Sequence, residues 1–240
     1  MSLFEQKNRY NIFISAVIPA YNEIHRIGRV VKECLKYCNE VIVIDDGSVD
    51  NTATEASKYG AKVIRNLLNK GYIYSIKKGF KVVSGDIIVT IDADGEHSPS
   101  DIPALIKPIL DGRADMVLGS RDKIDRISER LISLIVKLKT GIRDTGTGFR
   151  AIKRDLALDL KYKGKCICGI SVLEPWIKGA NILEVRIKLN RVTKRRKIAW
   201  NHIIQIFYVL IFLFKKGLKK WILKNFTQIK IFLLLVLQEQ

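Results

Sequence analysis

Short β-branched runs that end in acidic residues constrain this chain more than any other feature. The apolar run Asp86–Ile91 (DIIVTI) is followed by DADGEHSP, in which Asp92, Asp94 and Glu96 occupy every second position. A short bounded run of this kind predicts a buried strand, and Pro99 with its Ser/Asp neighbours predicts the start of a helix. The acids therefore fall in a strand-to-helix loop, which is where open α/β sheets bind ligands.

The three acids of this loop are close enough in sequence for their carboxylates to repel one another unless a cation joins them. Oxygen ligands favour a hard ion, so the spacing predicts that Asp92, Asp94 and Glu96 bind Mg²⁺ or Mn²⁺. A solvated acidic loop is the alternative for an isolated Asp-x-Asp. The position directly after a buried strand favours the metal site.

Strand and helix patterns alternate along the chain. Strands are predicted over 12–18, 41–44, 61–64, 86–91 and 116–118, and helices over 24–37, 52–59, 70–83 and 100–111, the last with Ser100 as its N-cap. Further on, the pattern predicts a helix over 127–138, a Gly/Thr-rich loop, a helix over 170–178 and a strand over 182–189. Such alternation predicts an α/β fold with a mostly parallel sheet and helices on both faces.

Four polar loops are predicted at the carboxyl ends of strands: Pro19–Glu23, Asp45–Ser48, Asp92–Glu96 and Gly119–Arg121. In a parallel sheet these loops converge on one edge. Carboxylates, a cation and an aromatic residue together suit a nucleotide diphosphate. No Gly-x-Gly-x-x-Gly follows the first strand and no Walker motif is present, so dinucleotide and P-loop chemistry are not indicated.

The net charge of +18 is concentrated at the C-terminal end. From residue 185 to residue 240 there are thirteen Lys and Arg and a single acid, Glu239. This asymmetry predicts an anionic partner. No recognised nucleic-acid-binding pattern accompanies it, so a membrane surface with anionic lipid is expected rather than nucleic acid.

The last forty residues alternate apolar runs with lysines. Neither apolar run reaches the roughly 20 residues that a spanning helix needs. The mixture of Lys with Trp221 instead favours helices in the headgroup region. We therefore predict a domain over 1–200 and a membrane-associating tail over 201–240, at the cytoplasmic face of the membrane and peripheral or shallowly inserted. Helices packed into the domain core are the alternative.

The four cysteines fall in two pairs, Cys34 with Cys38 and Cys166 with Cys168. Neither pair has zinc-ligand neighbours at a useful sequence spacing, and no secretory signal precedes them. Reduced, structural thiols in a cytosolic chain are the expectation.

The ordered motifs resemble those of family 2 glycosyltransferases. The matching stretches are VIPAYNE, VIVIDDGSVDNT, GDIIVTIDADGEHSP, GSR and DTGTGFRAIKRD, and the resemblance runs from about Ser15 to Lys197. It is strongest to the dolichyl-phosphate mannose synthase and glucosyltransferase branch. The resemblance implies a GT-A fold and inverting transfer of a hexose, from GDP-mannose or UDP-glucose, to a polyprenyl phosphate at the membrane surface.

The resemblance also implies roles for individual residues. The nucleotide sugar would be held by Pro19, Tyr21, Glu23, Ile44, Asp46, Asp92, Ala93, Asp94, Arg121, Arg191 and Lys197. The acceptor phosphate would face Arg121 and Arg150, joined by Arg130 on the basic helix, and surface salt bridges are the alternative for these arginines. Two departures from the family pattern affect the phosphate side: Lys194-Arg195-Arg196 replaces Gly-Glu-Ser, and Arg186 replaces a proline.

The chemistry of the acceptor decides whether a base is needed. A lipid phosphate is already an anion at neutral pH and needs none, whereas an alcohol would need a carboxylate such as Asp144. The catalytic candidates are therefore Asp92, Asp94 and Arg121. Asp144 joins them as the general base if the acceptor is an alcohol. The histidines, His25, His97 and His202, form no convincing catalytic pair, and His97 is expected to be structural or solvated.

Three other functions stay open at this point. One is a family 2 transferase that adds a sugar to a hydroxyl of a lipid-linked or cell-surface glycan. Another is a non-enzymatic basic module that binds acidic lipid or nucleic acid, which would leave the acid loops unexplained. A nucleotide-sugar pyrophosphorylase is disfavoured because its Gly-rich N-terminal loop is absent.

Overall fold

The computed structural model describes residues 12–124, 126–164, 166–190, 202 and 204–215. In this part of the chain the strands are β1 Ile14–Ala20, β2 Glu40–Asp45, β3 Lys62–Arg65, β4 Ile87–Thr90, β5 Met116–Arg121, β6 Arg150–Lys153 and β7 Ile182–Ile187. The α-helices are α1 Ile24–Cys34, α2 Thr52–Lys58, α3 Tyr72–Val82, α4 Ile102–Leu110, α5 Ile127–Thr140, α6 Arg154–Asp159, α7 Ile170–Ile177 and α8, residues 204–215.

All seven strands join one sheet in the order β3-β2-β1-β4-β6-β5-β7. β6 runs antiparallel to both of its neighbours, and the other pairs are parallel. The chain steps outward from β1 to β3 and then returns to β4 on the other side of β1. This reversal leaves a crevice at the carboxyl ends of β1 and β4, where open α/β sheets bind ligands. The α/β fold class predicted from the sequence is confirmed.

Two apolar cores, one on each face of the sheet, explain why the strands are continuous apolar runs. In β1 every residue is buried. Ile14 and Ile18 belong to the core that includes residues of α1 and α4, whereas Val17 belongs to the core that includes residues of α3, α5 and α7. Each face of β1 is therefore covered by helices, which keeps the crevice at its end in a fixed position.

The structure differs from the sequence-based expectation at three local points. β6 and α6 were not expected, because their four and six residues are too short to show a period and follow a Gly-rich loop. The expected N-cap at Ser100 is wrong: Pro99–Asp101 form a 3₁₀ turn and α4 begins at Ile102 after Asp101. Pro103 lies in the first turn of α4, where its missing N–H removes no helical bond.

α8, at the start of the predicted tail, packs one face against the domain. Val209 is fully buried, and Ile206 and Leu213 pack against the same core. The opposite face is exposed, with Phe207 and Phe214 more than 60% accessible. Among the helices described, none is both long and apolar enough to cross a membrane. The predicted lysine-rich segment after Lys215 lies outside the described residues.

The burial of Val209 makes a testable prediction about α8. Val209→Ala removes two buried methyl groups and should lower the free energy of unfolding by about 2 kcal/mol. The matched control is Leu210→Ala, whose side chain is 46% exposed and which should change stability by less than about 0.5 kcal/mol. Urea unfolding of both variants measures the difference. Equal stabilities would contradict the packing of α8 on the domain.

Candidate active site

The acid loop follows β4 at the crevice, as the sequence predicts. Asp94 is 3% exposed and Asp92 9% exposed, and Glu96 is partly buried. The backbone N–H of Glu96 donates to Oδ1 of Asp94 at 3.1 Å, so the loop turns tightly on itself. Burial and then the negative charge of Asp92 raise the pKa of Glu96 above its usual value. Buried oxygen donors that repel one another fit a hard divalent cation.

Gly148 lies directly against the acid loop. A Cβ atom at this position would come within 2.6 Å of both carboxylate oxygens of Asp92. Thr90, the last residue of β4, donates from Oγ1 to the carbonyl of Gly148 at 2.7 Å. The Gly/Thr-rich loop therefore forms one wall of the acid site, which the sequence did not indicate.

His97 is buried rather than solvated. Its ring centroid lies 5.4 Å from that of Phe149, and its Nδ1 atom lies 4.0 Å from Oδ2 of Asp92. Neither ring nitrogen has a hydrogen-bond partner among the described residues. Burial lowers the pKa of His97. The structure therefore places a neutral imidazole beside the carboxylates.

The loops after β1 and β2 are joined by a reciprocal pair of hydrogen bonds. The N–H of Asn22 donates to Oγ of Ser48 at 2.9 Å, and the N–H of Val49 donates to Oδ1 of Asn22 at 3.0 Å. Asn22 has a φ of 55°, a left-handed conformation that Asn tolerates better than most residues. Next to it, Tyr21 is 44% exposed, whereas Glu23 is buried. The aromatic ring is thus available at the edge of the crevice.

Asp46 holds the loop between β3 and α3. Its carboxylate accepts hydrogen bonds from Nδ2 of Asn66 at 2.8 Å, from the N–H of Lys70 at 3.0 Å and from the N–H of Gly71 at 2.7 Å. The hydrogen-bond partners of the Asp46 carboxylate are therefore backbone and side-chain groups of this loop. Ile44, predicted at the nucleoside, is fully buried in the core, so its side chain cannot line an open pocket.

Arg121, at the end of β5, is bound by two carboxylates. Its Nε and Nη2 atoms donate to Oδ2 and Oδ1 of Asp144, both at 2.7 Å, and Nη2 also donates to Oε1 of Glu129. Burial alone would raise the pKa of Asp144, but the bonds from Arg121 outweigh it and leave that pKa lowered. The pKa of Arg121 is raised by the same partners, against the effect of burial.

Two predictions for this pair therefore need correction. Asp144 is not a free general base, because its lone pairs are engaged by Arg121 and its pKa is lowered. The guanidinium of Arg121 is engaged by carboxylates of this chain rather than left open to a phosphate, because it contacts Asp144 and Glu129. These contacts tie β5 and α5 to the Gly/Thr-rich loop.

Arg150 and Arg130 differ in burial and in their hydrogen-bond partners. Arg150 lies on β6 and is 2% exposed, and its Nε and Nη2 atoms have no hydrogen-bond partner in the described part of the chain. It is therefore not the surface salt bridge that the sequence left as an alternative. Arg130 lies exposed on α5 and donates from Nε to the carbonyl of Ile124 at 2.7 Å.

Arg191 and Lys197 lie outside the described residues, but the segment that leads to them starts at the acid loop. Asn190 donates from its N–H to the carbonyl of Glu96 at 2.8 Å and from Nδ2 to the carbonyl of Gly95 at 3.1 Å. A bridge between His97 and Leu189 adds to this contact. The segment that ends at residue 190 is therefore bound to the backbone of the acid loop.

The structure also brings together three residues that the sequence did not connect. Cys166, Cys168 and His202 place one ligand atom each within 4.8 Å of one another. The sequence offers no zinc-ligand neighbour at a useful spacing, and the fold supplies one from a distant part of the chain. The histidine is 34 residues from Cys168, which hid the group from any spacing argument.

The acid loop at the switch point of this open α/β sheet lies where proteins of this fold class bind their ligands. The glycosyl transferase family 2 model matches residues 15–157. The chain therefore belongs to glycosyl transferase family 2, and the resemblance found in the sequence is confirmed.

Relatives and solved structures agree with this assignment. An uncharacterized protein of Methanocaldococcus jannaschii is 36% identical over 208 residues, which cover 78% of this chain and 84% of that protein. A dolichol-phosphate mannosyltransferase of Pyrococcus furiosus is 40% identical over 116 residues, which cover 45% of this chain and 33% of the relative. Glucosyl-3-phosphoglycerate synthase of Mycobacterium tuberculosis, solved with Mn²⁺, UDP and glucosyl-3-phosphoglycerate, superposes with a TM-score of 0.75 at 22% identity, covering 88% of this chain and 83% of that one.

The Arg121 pair predicts how stability depends on pH. Asp144→Asn should lower the free energy of unfolding by on the order of 3 kcal/mol at pH 7, because it breaks a buried ion pair. The folded-state pKa of Asp144 is lowered, so its stabilisation is present above the unfolded value of about 3.9 and is lost as pH falls through the folded-state pKa. The difference between variant and wild type should therefore shrink in acid.

A matched control for this experiment is Asp159→Asn. Asp159 pairs with Lys178 at the surface, and its side chain is 62% exposed. Its removal should cost less than about 0.5 kcal/mol. Urea unfolding at several pH values measures both variants. A loss in Asp144→Asn that is as small as the control's would contradict the buried pair.

Proposed function

We propose that this family 2 enzyme is a metal-dependent, inverting hexosyltransferase that uses a nucleotide diphosphate sugar and a polyprenyl phosphate acceptor at a membrane surface. The observation that carries the proposal is the acid loop at the crevice between β1 and β4, where Asp92 and Asp94 are both buried. The dolichol-phosphate mannosyltransferase relative supports the polyprenyl phosphate acceptor. The M. tuberculosis neighbour, solved with UDP and Mn²⁺, supports a nucleotide donor and a divalent ion.

The donor side of the site is built from four parts of this chain. Asp92, Asp94 and Glu96 would hold Mg²⁺ or Mn²⁺, which when bound neutralises charge on the diphosphate leaving group. Pro19 lies near the carboxyl end of β1, and Tyr21, Glu23 and Ala93 lie on the loops that border the crevice. Asp46 contributes indirectly, since it fixes the loop over residues 66–71. Arg191 and Lys197 remain proposed for the phosphate side.

The carboxylate proposed as the base for an alcohol acceptor is engaged within the protein, and this favours a phosphate nucleophile. Asp144 is ion-paired with Arg121, and its pKa is lowered. A phosphate oxygen is already anionic, so it can attack the anomeric carbon without losing a proton. An alcohol acceptor would need a base to remove its proton, and the hydroxyl-acceptor alternative is disfavoured because Asp144 is already paired with Arg121.

The cation for the acceptor phosphate is proposed to be Arg150. Its guanidinium is buried and has two nitrogen atoms without a partner in the described chain, which is costly unless an anion or water compensates it. A phosphate would supply charge-assisted hydrogen bonds to these atoms. Arg130, exposed on α5, would attract the same group at longer range.

A membrane-facing surface is proposed on α5 and α8, which pack side by side. Ile132 of α5 and Val209 of α8 both lie 2.9 Å from where a Cβ of Gly169 would be. Both helices expose large apolar side chains on their outer faces: Ile127, Leu131, Leu134, Leu138, Phe207, Leu210, Ile211 and Phe214. A cavity of about 470 Å³ beside α8 is lined by several lysines, including Lys161, Lys163, Lys178 and Lys215. Apolar side chains with adjacent lysines suit a bilayer surface with anionic lipid.

The first test concerns the acid loop. Asp94→Asn should reduce transfer at least about a hundredfold, because the amide cannot replace the charge that holds the metal. The assay incubates the protein with labelled GDP-mannose or UDP-glucose, dolichyl phosphate and Mn²⁺, and measures label in the organic phase. Nucleotide affinity measured with and without EDTA reports the metal contribution separately.

Two controls make this test specific. Asp111→Asn changes an exposed carboxylate at the end of α4 and should leave transfer unchanged. Glu96→Gln should be mild, because the family branch often carries Gln at this position. Full turnover of Asp94→Asn at limiting Mn²⁺ would overturn the metal role. Transfer only to the hydroxyl of a glycan, and not to a polyprenyl phosphate, would overturn the proposed acceptor.

The second test concerns the outer face of α8. Replacing both Phe207 and Phe214 with Ser should weaken binding to vesicles that contain anionic lipid by about tenfold or more, because two apolar side chains lose their burial in the bilayer. Leu35→Ser, at the end of α1 on the other face of the sheet, is the control and should bind like wild type. Sedimentation with vesicles at low and high salt measures both. Unchanged binding of the double variant would remove α8 from the membrane surface.

A further inference from the structure

Two cysteines and a histidine from distant parts of the chain meet at the start of α8. Cys166 and Cys168 lie in the loop before α7, and His202 lies two residues before α8. The two Sγ atoms and a ring nitrogen of His202 lie within 4.8 Å of one another. Within the part of the chain that the structure describes, no other group of three His, Cys, Asp or Glu residues is this compact.

The distances in this Cys–Cys–His group match those of a tetrahedral metal site. Sγ of Cys168 lies 3.7 Å from Nε2 of His202. Bonds of about 2.3 Å to sulfur and about 2.0 Å to nitrogen at a tetrahedral angle would separate these atoms by about 3.5 Å. An ion could therefore enter between the three groups with little movement of the backbone.

The second ring nitrogen of His202 has a hydrogen-bond partner of the kind that ligating histidines have in metal sites. Nδ1 of His202 lies 2.9 Å from Oγ of Ser128 on α5. When Nδ1 carries the proton and donates it to this hydroxyl, the lone pair of Nε2 faces the thiols. An outer hydrogen bond of this kind fixes the tautomer and orientation of a ligating histidine.

Gln205 fixes the cysteine loop against α8 independently of any metal. Its Oε1 atom accepts from the N–H of Cys166 at 3.3 Å, and its Nε2 atom donates to the carbonyl of Cys168 at 3.1 Å. Gln205, Cys168 and His202 are buried, whereas Cys166 is partly exposed. The ligands are thus assembled in advance, and Cys166 faces the route by which an ion would enter.

We propose that Cys166, Cys168 and His202 bind a thiophilic divalent ion of the zinc class, which joins α8 to α5 and to the loop before α7. Two sulfurs and one imidazole nitrogen select zinc over Mg²⁺ or Mn²⁺, which prefer oxygen donors. The site is therefore chemically distinct from the acid loop. It also lies beyond residue 157, where the family match ends.

The test uses the full chain, kept reduced and freed of metal with a chelator, and titrates it with Co²⁺. One equivalent should bind with thiolate-to-cobalt charge-transfer bands and the strong visible absorption of a tetrahedral ion, and Zn²⁺ should displace it. Cys166→Ser, Cys168→Ser and His202→Ala should each weaken binding at least about tenfold. Zn²⁺ should raise the Tm of wild type but not of Cys168→Ser.

Three controls separate this site from other binding. Cys38→Ser and His25→Ala change a thiol and an imidazole elsewhere and should keep the cobalt spectrum. Asp94→Asn should also keep it, which makes the outcome independent of the proposed transfer reaction. Binding without sulfur charge transfer, or equal affinity for Cys38→Ser and Cys168→Ser, would overturn the proposal. So would a count of two rather than four free thiols in the protein purified and denatured without reductant, since it would indicate a disulfide.

Discussion

The ion pair of Arg121 with Asp144 is the interaction on which the position of the Gly/Thr-rich loop depends. It joins the end of β5 to the Gly/Thr-rich loop, and Glu129 extends it to α5. The backbone N–H groups of Arg143 and Asp144 in turn donate to the carboxylate of Glu184 on β7. A buried guanidinium and carboxylate are stable only with complete partners, so this network fixes the loop in one position.

The position of the Gly/Thr-rich loop matters because this loop contacts the acid loop that follows β4. Gly148 follows Asp144 by four residues and lies against the carboxylate of Asp92. The crevice is thus bounded on one side by loops that Asn22 and Ser48 hold together, and on the other by a loop that an ion pair holds. Repulsion between the acids opposes folding, and the hydrogen bonds and the ion pair of these neighbouring loops hold the surroundings of the acids in place against it.

Much of this was predictable from the sequence, and the exceptions have physical reasons. The buried strands were visible because helices cover both faces of the sheet and demand continuous apolar runs. The acid loop was visible because its residues are adjacent in sequence. Arg121 and Asp144 were each identified, but their pairing was not, because 23 residues separate them and periodicity carries no information on such contacts. The Cys–Cys–His group was hidden for the same reason.

The antiparallel strand β6 also has a consequence for synthesis of the chain. Thr90 of β4 pairs with Arg150 of β6, about 60 residues later. At roughly 5–20 residues per second, the ribosome needs about 3–12 s to make the intervening segment. During that time one edge of β4, which is wholly apolar apart from Thr90, has no partner and can pair with another nascent chain. The yield of folded protein should therefore depend on how fast translation passes through these 60 residues and on chaperones that cover the edge until β6 arrives.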